Sequence, residues 1–432
     1  MNSAQEEKRK RHWVIVVSVG FGGLISLLLL GVLLLWLPIW DIGPVDDADM
    51  FTEWHPIPAE ENALHLLEED WPVWSHRSQD EIDTWRNDPE TYADEIGAFF
   101  EETEPLMKRL NAILEIGAVQ PLRMERYDDL IQGVPNALDL SRCIQLRLQL
   151  MDDLDARMSV LRKQHDFSVI VGGHSESLIH ALVAVAIEQT LLSTLWSLLQ
   201  EDEIPEKHLS DIADILKNPL DMRLMLGEGF RSEYRAFSNA IEDNFSFADN
   251  SEGFDWTKHI STYGFLFHPN RSRLIFLTEM RHYIDVLNHA LFPGADTFIP
   301  WEEKGYPVSR RIRPNMIGDL LLAIMLPSLE SSVLRAFIRD AEIQALQAAI
   351  ALHQYRHTTE EWPENLGDLV PDFLETLPVD PFDGQPMRYL REARLIYSVG
   401  PDRVDQGGSR RSTTGRGEAK RLQDMEDLVF TF

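Results

Sequence analysis

The chain has 432 residues, 44% of them hydrophobic and 26% charged, with a formal net charge of −31 at pH 7. That length can bury a sizeable core in two or three domains, and the composition excludes wholesale disorder. The acidic balance argues against binding nucleic-acid phosphates, which rests on many Lys and Arg contacts, and the single cysteine, Cys143, excludes an intramolecular disulfide.

The first predicted element is a membrane span over residues 13–37. No charged side chain occurs there, and about 25 residues at a rise of ~1.5 Å cross a hydrocarbon core ~30 Å thick. Lys8, Arg9, Lys10 and Arg11 precede it, whereas Asp41, Asp46, Asp47 and Asp49 follow. The positive-inside rule therefore puts the tail, residues 1–12, in the cytoplasm and the body on the far side. Trp13, Trp36 and Trp40 are placed as interfacial anchors. A cleaved signal peptide would have a shorter apolar stretch and a small-residue cleavage site, which Leu37-Pro38-Ile39-Trp40 does not offer. The expectation is an uncleaved single-pass anchor. Residues 38–58, with Pro44, Pro56 and Pro58 among acids, read as a linker.

Between about 60 and 357 the dominant period is helical and strand signals are scarce, and residues 59–328 are the expected helical domain. Helical segments are expected near 59–69, 88–115, 136–164, 174–200, 207–217, 220–243, 270–292 and 315–357. This predicts an all-helical extracytoplasmic body, which stacked helix pairs could build without a fixed-period repeat. Residues 178–199 are apolar on nearly every face and approach the length of a second span. His180, Glu188 and Gln189 interrupt them, and an ionisable group at the bilayer centre costs ~2.5–3.5 kcal/mol, so a buried central helix is expected instead. Residues 244–268 read as a surface loop.

Two patterns in this stretch carry candidate chemistry. Phe167-Ser168-Val169-Ile170-Val171, then Gly172-Gly173-His174-Ser175-Glu176-Ser177, mimics the strand–elbow–helix of α/β-hydrolases, with Ser175 as nucleophile. Ser177 stands where the second glycine belongs, and the surrounding α/β alternation is missing. A Gly-Gly break followed by a serine N-cap is the plainer reading. His353 and His357, four apart on a helix, could face one metal, but the Glu of an H-E-x-x-H site is absent and a polar helix end explains them.

Residues 329–432 form the last expected unit. A helix from about 329 to 357 carries an apolar stripe of Val333, Phe337, Ile343, Leu346, Ala349 and Ile350, and Trp362-Pro363 stops it. Asp380-Pro381 and Asp383-Gly384 bracket a short hairpin, and strands follow near 394–399 and 428–432. Asp402, Asp405, Asp424, Glu426 and Asp427 gather hard oxygen donors of the kind calcium prefers.

The run Trp362-Pro363-Glu364-Asn365-Leu366, Leu377-Pro378-Val379-Asp380-Pro381-Phe382-Asp383-Gly384 and Tyr397-Ser398-Val399-Gly400-Pro401-Asp402 resembles the C-terminal globular region of the major pseudopilin of type II secretion systems. The resemblance implies a small α+β module with a calcium ion in its terminal loop. It implies Asp402 and Asp427 as the first ligands, with Asp405 and Asp424 next. The insert at 409–421, with Arg410, Arg411, Arg416, Lys420 and Arg421, departs from that pattern. So does the span, where Gly20-Phe21 is not followed by the glutamate of a pseudopilin helix. The overall plan resembles membrane-anchored proteins of planctomycete-type bacteria that join a helical body to such a module. The sequence thus leads to a mainly α protein of the bacterial inner membrane with a non-enzymatic structural or protein-interaction role and an envelope protein as partner. The alternatives are a pseudopilin-like component of a type II secretion-related apparatus and an envelope serine hydrolase using Ser175.

Overall fold

The computed structural model describes residues 41–68, 71–127, 133–175, 177–201, 204–242, 266–294, 298–299, 301, 304, 314–408 and 427–432. The expected span and most of the expected loop at 244–268 lie outside the described residues. Among those described, ten α-helices and three short strands make the chain mainly helical.

Local signals set most helix ends. After the single turn of α1, Leu64–Glu68, helix α2, Gln79–Asn87, begins on a reciprocal capping box between Ser78 and Glu81. Helix α3, Ala93–Ile116, stops at Gly117, whose φ of 85° suits only glycine without strain. Helices α4, Val134–Gln149, and α5, Leu154–Gly172, divide a stretch whose periodicity predicts one helix over 136–164. The Asp153 carboxylate accepts the Asp155 N–H at 3.1 Å, so a new N-cap outcompetes helix continuation. Helix α6, Leu178–Leu199, starts on Ser177, and α7, Glu206–Ile215, follows Pro205. Helices α8, Met222–Glu242, α9, Pro269–Asn288, and α10, Met316–Thr359, complete the set.

Residues 167–171 lie inside α5, so the strand that the hydrolase pattern requires is replaced by helix. The β-branched run Val169-Ile170-Val171 favours a strand locally. Helical spacing nevertheless places Leu161, Phe167 and Val171 in the core, and that burial decides the conformation.

Helix α6 is central, packed by α4, α5, α8 and α10. Its interruption is explained by Glu188, only 2% exposed, which accepts Arg339 Nε at 2.7 Å, Arg339 Nη2 at 2.6 Å and the Leu220 N–H at 3.0 Å. The guanidinium comes from α10, so the one acid of this apolar helix locks two helices together. Breaking such a pair from one side strands a buried charge and costs about 3–5 kcal/mol.

Two apolar clusters form the interior. The first joins α3–α7 to the second half of α10 through residues such as Phe99, Ile144, Leu195 and Ile350. The second joins α8 and α9 to the first half of α10 through Phe230, Tyr234, Phe276 and Phe337. Helix α10 runs unbroken across residues 328 and 329, where the helical body and the C-terminal module were expected to divide.

The C-terminal sheet is antiparallel, in the order β1 (Arg388–Leu390), β2 (Leu395–Ser398), β3 (Leu428–Thr431). Ile396 stands opposite Tyr389 on one side and Phe430 on the other. Ile396 and Phe432 enter the first cluster, whereas Phe382 and Val399 enter the second. Residues 41–50, expected as part of a linker, are packed on α8 and α9 instead. Met50 is in the second cluster, Asp47 accepts the Tyr234 hydroxyl at 2.6 Å, and Asp49 pairs with Arg281.

Candidate functional site

The expected calcium loop follows β2, and Gln406 is at its centre. The Gln406 Nε2 donates to Asp402 Oδ2 at 2.7 Å, and its Oε1 accepts the Asp427 N–H at 2.9 Å. Asp402 Oδ1 also accepts the Val404 N–H at 2.9 Å, as an Asx turn does. Asp427 is 9% exposed; its two oxygens accept the Gln406 N–H at 3.1 and 3.3 Å and the Gly408 N–H at 2.8 Å. Asp405 Oδ1 accepts the Gly407 N–H at 2.8 Å and the Tyr397 hydroxyl at 3.2 Å. Burial raises the Asp427 pKa, and the carboxylates of Asp405 and Asp402 add to the rise.

Asp402, Asp405 and Asp427 are thus brought into one network, while Asp424 and the insert at 409–421 lie outside the described residues. Calcium requires several oxygens turned toward one point. In this arrangement the carboxylate oxygens instead face backbone N–H groups and the Gln406 amide. Among the described residues no group of three His, Cys, Asp or Glu side chains could hold a metal ion.

A second carboxylate anchors the module and was legible only as a turn former. Asp380 is fully buried, accepting Phe382 N–H, Ser398 Oγ and Val399 N–H, each at 2.9 Å, and Arg388 Nη1 at 2.7 Å. Arg388 also pairs with Asp383 and approaches Asp405 to 3.9 Å. One guanidinium therefore joins the hairpin turn, β1 and the terminal loop. An Asp-Pro pair in sequence signals the turn; the paired arginine eight residues later carries no comparable signal.

Ser175 lies in a cleft of about 610 Å³ formed by the end of α5, the start of α8 and residues Thr52 and Glu53. Its hydroxyl is buried and has no hydrogen-bond partner among the described residues. Glu188 is committed to Arg339, and the His180 Nδ1 is 2.6 Å from Ser177 Oγ. Neither Glu188 nor His180 is therefore paired with Ser175. Gly172 has a packing reason to be glycine, since a Cβ there would come within 2.7 Å of Leu220 Cδ1 and 2.8 Å of Met225 Sδ. His353 and His357 are likewise not joined: His353 is buried against the rings of Trp362 and Phe432, whereas His357 is exposed. Cys143 is buried and its thiol is pushed up to about 12, which leaves it unreactive.

No protein-family model, curated protein or solved structure matches the chain.

Proposed function

We propose that the chain is a membrane-anchored protein of the bacterial envelope with a structural, protein-binding role, in which the C-terminal module is a rigid cap on the helical body. Residues 13–37 are the anchor, the body is extracytoplasmic, and an envelope protein is the partner. The observation that supports this reading is the closed network around Gln406, where the chain's own donors occupy the carboxylates of Asp402, Asp405 and Asp427. These bonds tie the terminal loop to Tyr397 of β2 and to Asp427, which precedes β3. In this reading Gln406 does the ordering that the pseudopilin resemblance assigns to calcium.

Thermal unfolding of the full chain in detergent tests the proposal, with calcium or EDTA, for the unaltered protein and for Gln406→Ala. The expected result is no effect of calcium and a loss of about 2 kcal/mol in Gln406→Ala, from two hydrogen bonds to partly buried groups. A ligand at a hundred times its dissociation constant adds about 2.7 kcal/mol. An upward shift of that order with calcium, abolished in Asp402→Ala, would replace the proposal with a calcium-stabilised loop held by Asp402, Asp405, Asp424 and Asp427. Fluorophosphonate labelling that disappears in Ser175→Ala would replace it with the envelope hydrolase.

A further inference from the structure

The first turns of α9 and α10 lie together at the end of the molecule where residue 41 is held. The Asp41 carboxylate accepts the N–H groups of Asn270 and Arg271 at 2.8 and 3.0 Å, and Asn270 Nδ2 donates to the Ile42 carbonyl at 3.1 Å. Asn315, which opens α10, accepts the His268 N–H at 2.8 Å and the Ser272 hydroxyl at 3.0 Å. The Ile317 N–H donates to the Leu266 carbonyl at 2.9 Å. Residue 41 and the start of α10 therefore flank the same turn of α9.

At this end α10 presents an apolar face to solvent. Leu320 is 47% and Ile324 67% exposed, one turn apart, and the next position along that stripe, Ser328, is exposed and polar. Single exposed aliphatic side chains are ordinary on a protein surface. A pair on one helix face, ending at a polar residue and standing beside the point where the chain leaves the span, is a placement that asks for a partner. At a rise of ~1.5 Å per residue, Leu320 and Ile324 lie ~7 and ~14 Å along the axis from Asn315. The residues from 37 to 41 reach at most ~14 Å when extended. The expected end of the span is therefore at most ~14 Å from residue 41, which flanks the start of α10.

We infer that the first turns of α10 seat Leu320 and Ile324 in the interface of the bilayer that anchors the chain, giving the body a second, non-spanning membrane contact. The inference rests on the reading of residues 13–37 as a span. Lipid is the occupant favoured over protein because, among the described residues, the stripe is short and aliphatic, and because the span's exit tethers the body there. Arg271, on the same turn of α9, is exposed and adds a cation at this end.

Nitroxide labels test it on the full chain in phosphatidylethanolamine–phosphatidylglycerol liposomes, placed singly through Ile324→Cys, Leu28→Cys within the expected span, and Glu90→Cys at an exposed position between α2 and α3. The buried, unreactive thiol of Cys143 leaves labelling to the introduced cysteines. Collision with oxygen reports hydrocarbon, and collision with an aqueous nickel chelate reports water. The expected result is a severalfold lower nickel accessibility and a higher oxygen accessibility at 324 than at 90. Equal values at 324 and 90, with hydrocarbon values at 28, would overturn the second contact and leave the span intact. A label at 324 shielded from both reagents would overturn it in favour of a protein covering the face. Water values at 28 would overturn the span itself and the inference with it.

Discussion

Glu233 and His353 are buried ionisable side chains whose contributions to stability run in opposite directions over nearly the same pH range. Burial lifts the Glu233 carboxyl from an ordinary 4.5 to about 7. Between those values the folded state holds a proton that the unfolded chain has lost, so this contribution is full below pH 4.5 and disappears as pH rises to 7. Burial, with Arg356 nearby, lowers the His353 imidazole from 6.5 to about 4. Here the unfolded chain binds the proton first, so stability is lost as pH falls from 6.5 to 4. Each effect amounts to as much as about 3 kcal/mol, and between pH 4.5 and 6.5 they offset one another. Relative to the unaltered protein, Glu233→Gln should therefore gain stability as pH rises through this window, and His353→Phe should lose it. The phenyl ring fits between Trp362 and Phe432, whose centroids stand 5.2 and 5.9 Å from the imidazole. Urea unfolding at a series of pH values gives the two difference curves. Slopes of the same sign would show that at least one of these groups is not held in the protonation state described.

At the scale of elements, two glycines two residues apart in α8 separate helix propensity from helix packing. A Cβ at Gly227 meets nothing within 4 Å, whereas at Gly229 it falls 2.9 Å from the Leu178 Cα, which is backbone at the start of α6. Replacing glycine by alanine in a helix interior gains up to about 1 kcal/mol. Gly227→Ala should keep that gain. In Gly229→Ala the two helices must move apart, at a cost of about 1–3 kcal/mol, so the net change is destabilising. Chemical denaturation of both variants checks the sign; stabilisation of Gly229→Ala would mean that α6 and α8 pack less closely than described. Nothing in the sequence distinguishes these glycines, because the difference lies in which residue of another helix faces them. The same limit explains other features. Apolar spacing was enough to locate the principal helices, and the last two strands were visible as alternation before a turn-rich stretch. The break at Asp153 and the helical state of residues 167–171 depended on competition between local preference and burial. Asp402, Asp405 and Asp427 were legible as one loop, yet Gln406, which links Asp402 to Asp427, has no local signature.

For the whole molecule, the distribution of core residues decides whether the C-terminal module is a separable domain. Helix α10 delivers Val333 and Phe337 to one apolar cluster and Leu346 and Ile350 to the other. The module follows it into both, with Phe382 and Val399 in the second cluster and Met387, Ile396 and Phe432 in the first. Polar contacts cross the same boundary: the Phe292 N–H donates to the Pro381 carbonyl at 2.9 Å, and Arg403 donates to the Phe292 carbonyl. The Trp196 ring of α6 stacks on Phe430 of β3 at 5.5 Å. A cut between 328 and 329 would expose Val333, Phe337, Phe382 and Val399 together. Fully burying side chains of this size contributes about 1.5–3 kcal/mol each, and their combined loss is comparable to the ~5–15 kcal/mol that holds an ordinary domain together. The fragment 329–432 should therefore fail to fold alone. Amide proton NMR of the isolated fragment decides the matter. A narrow, undispersed spectrum is expected, and a dispersed one would mean that the sheet and its half of α10 form a sufficient core without the helical body. The physical reason to expect failure is the position of Phe337 and Phe382, whose rings stand 6.5 Å apart: Phe292, at 5.2 and 5.6 Å from the two, closes that cluster from outside the fragment.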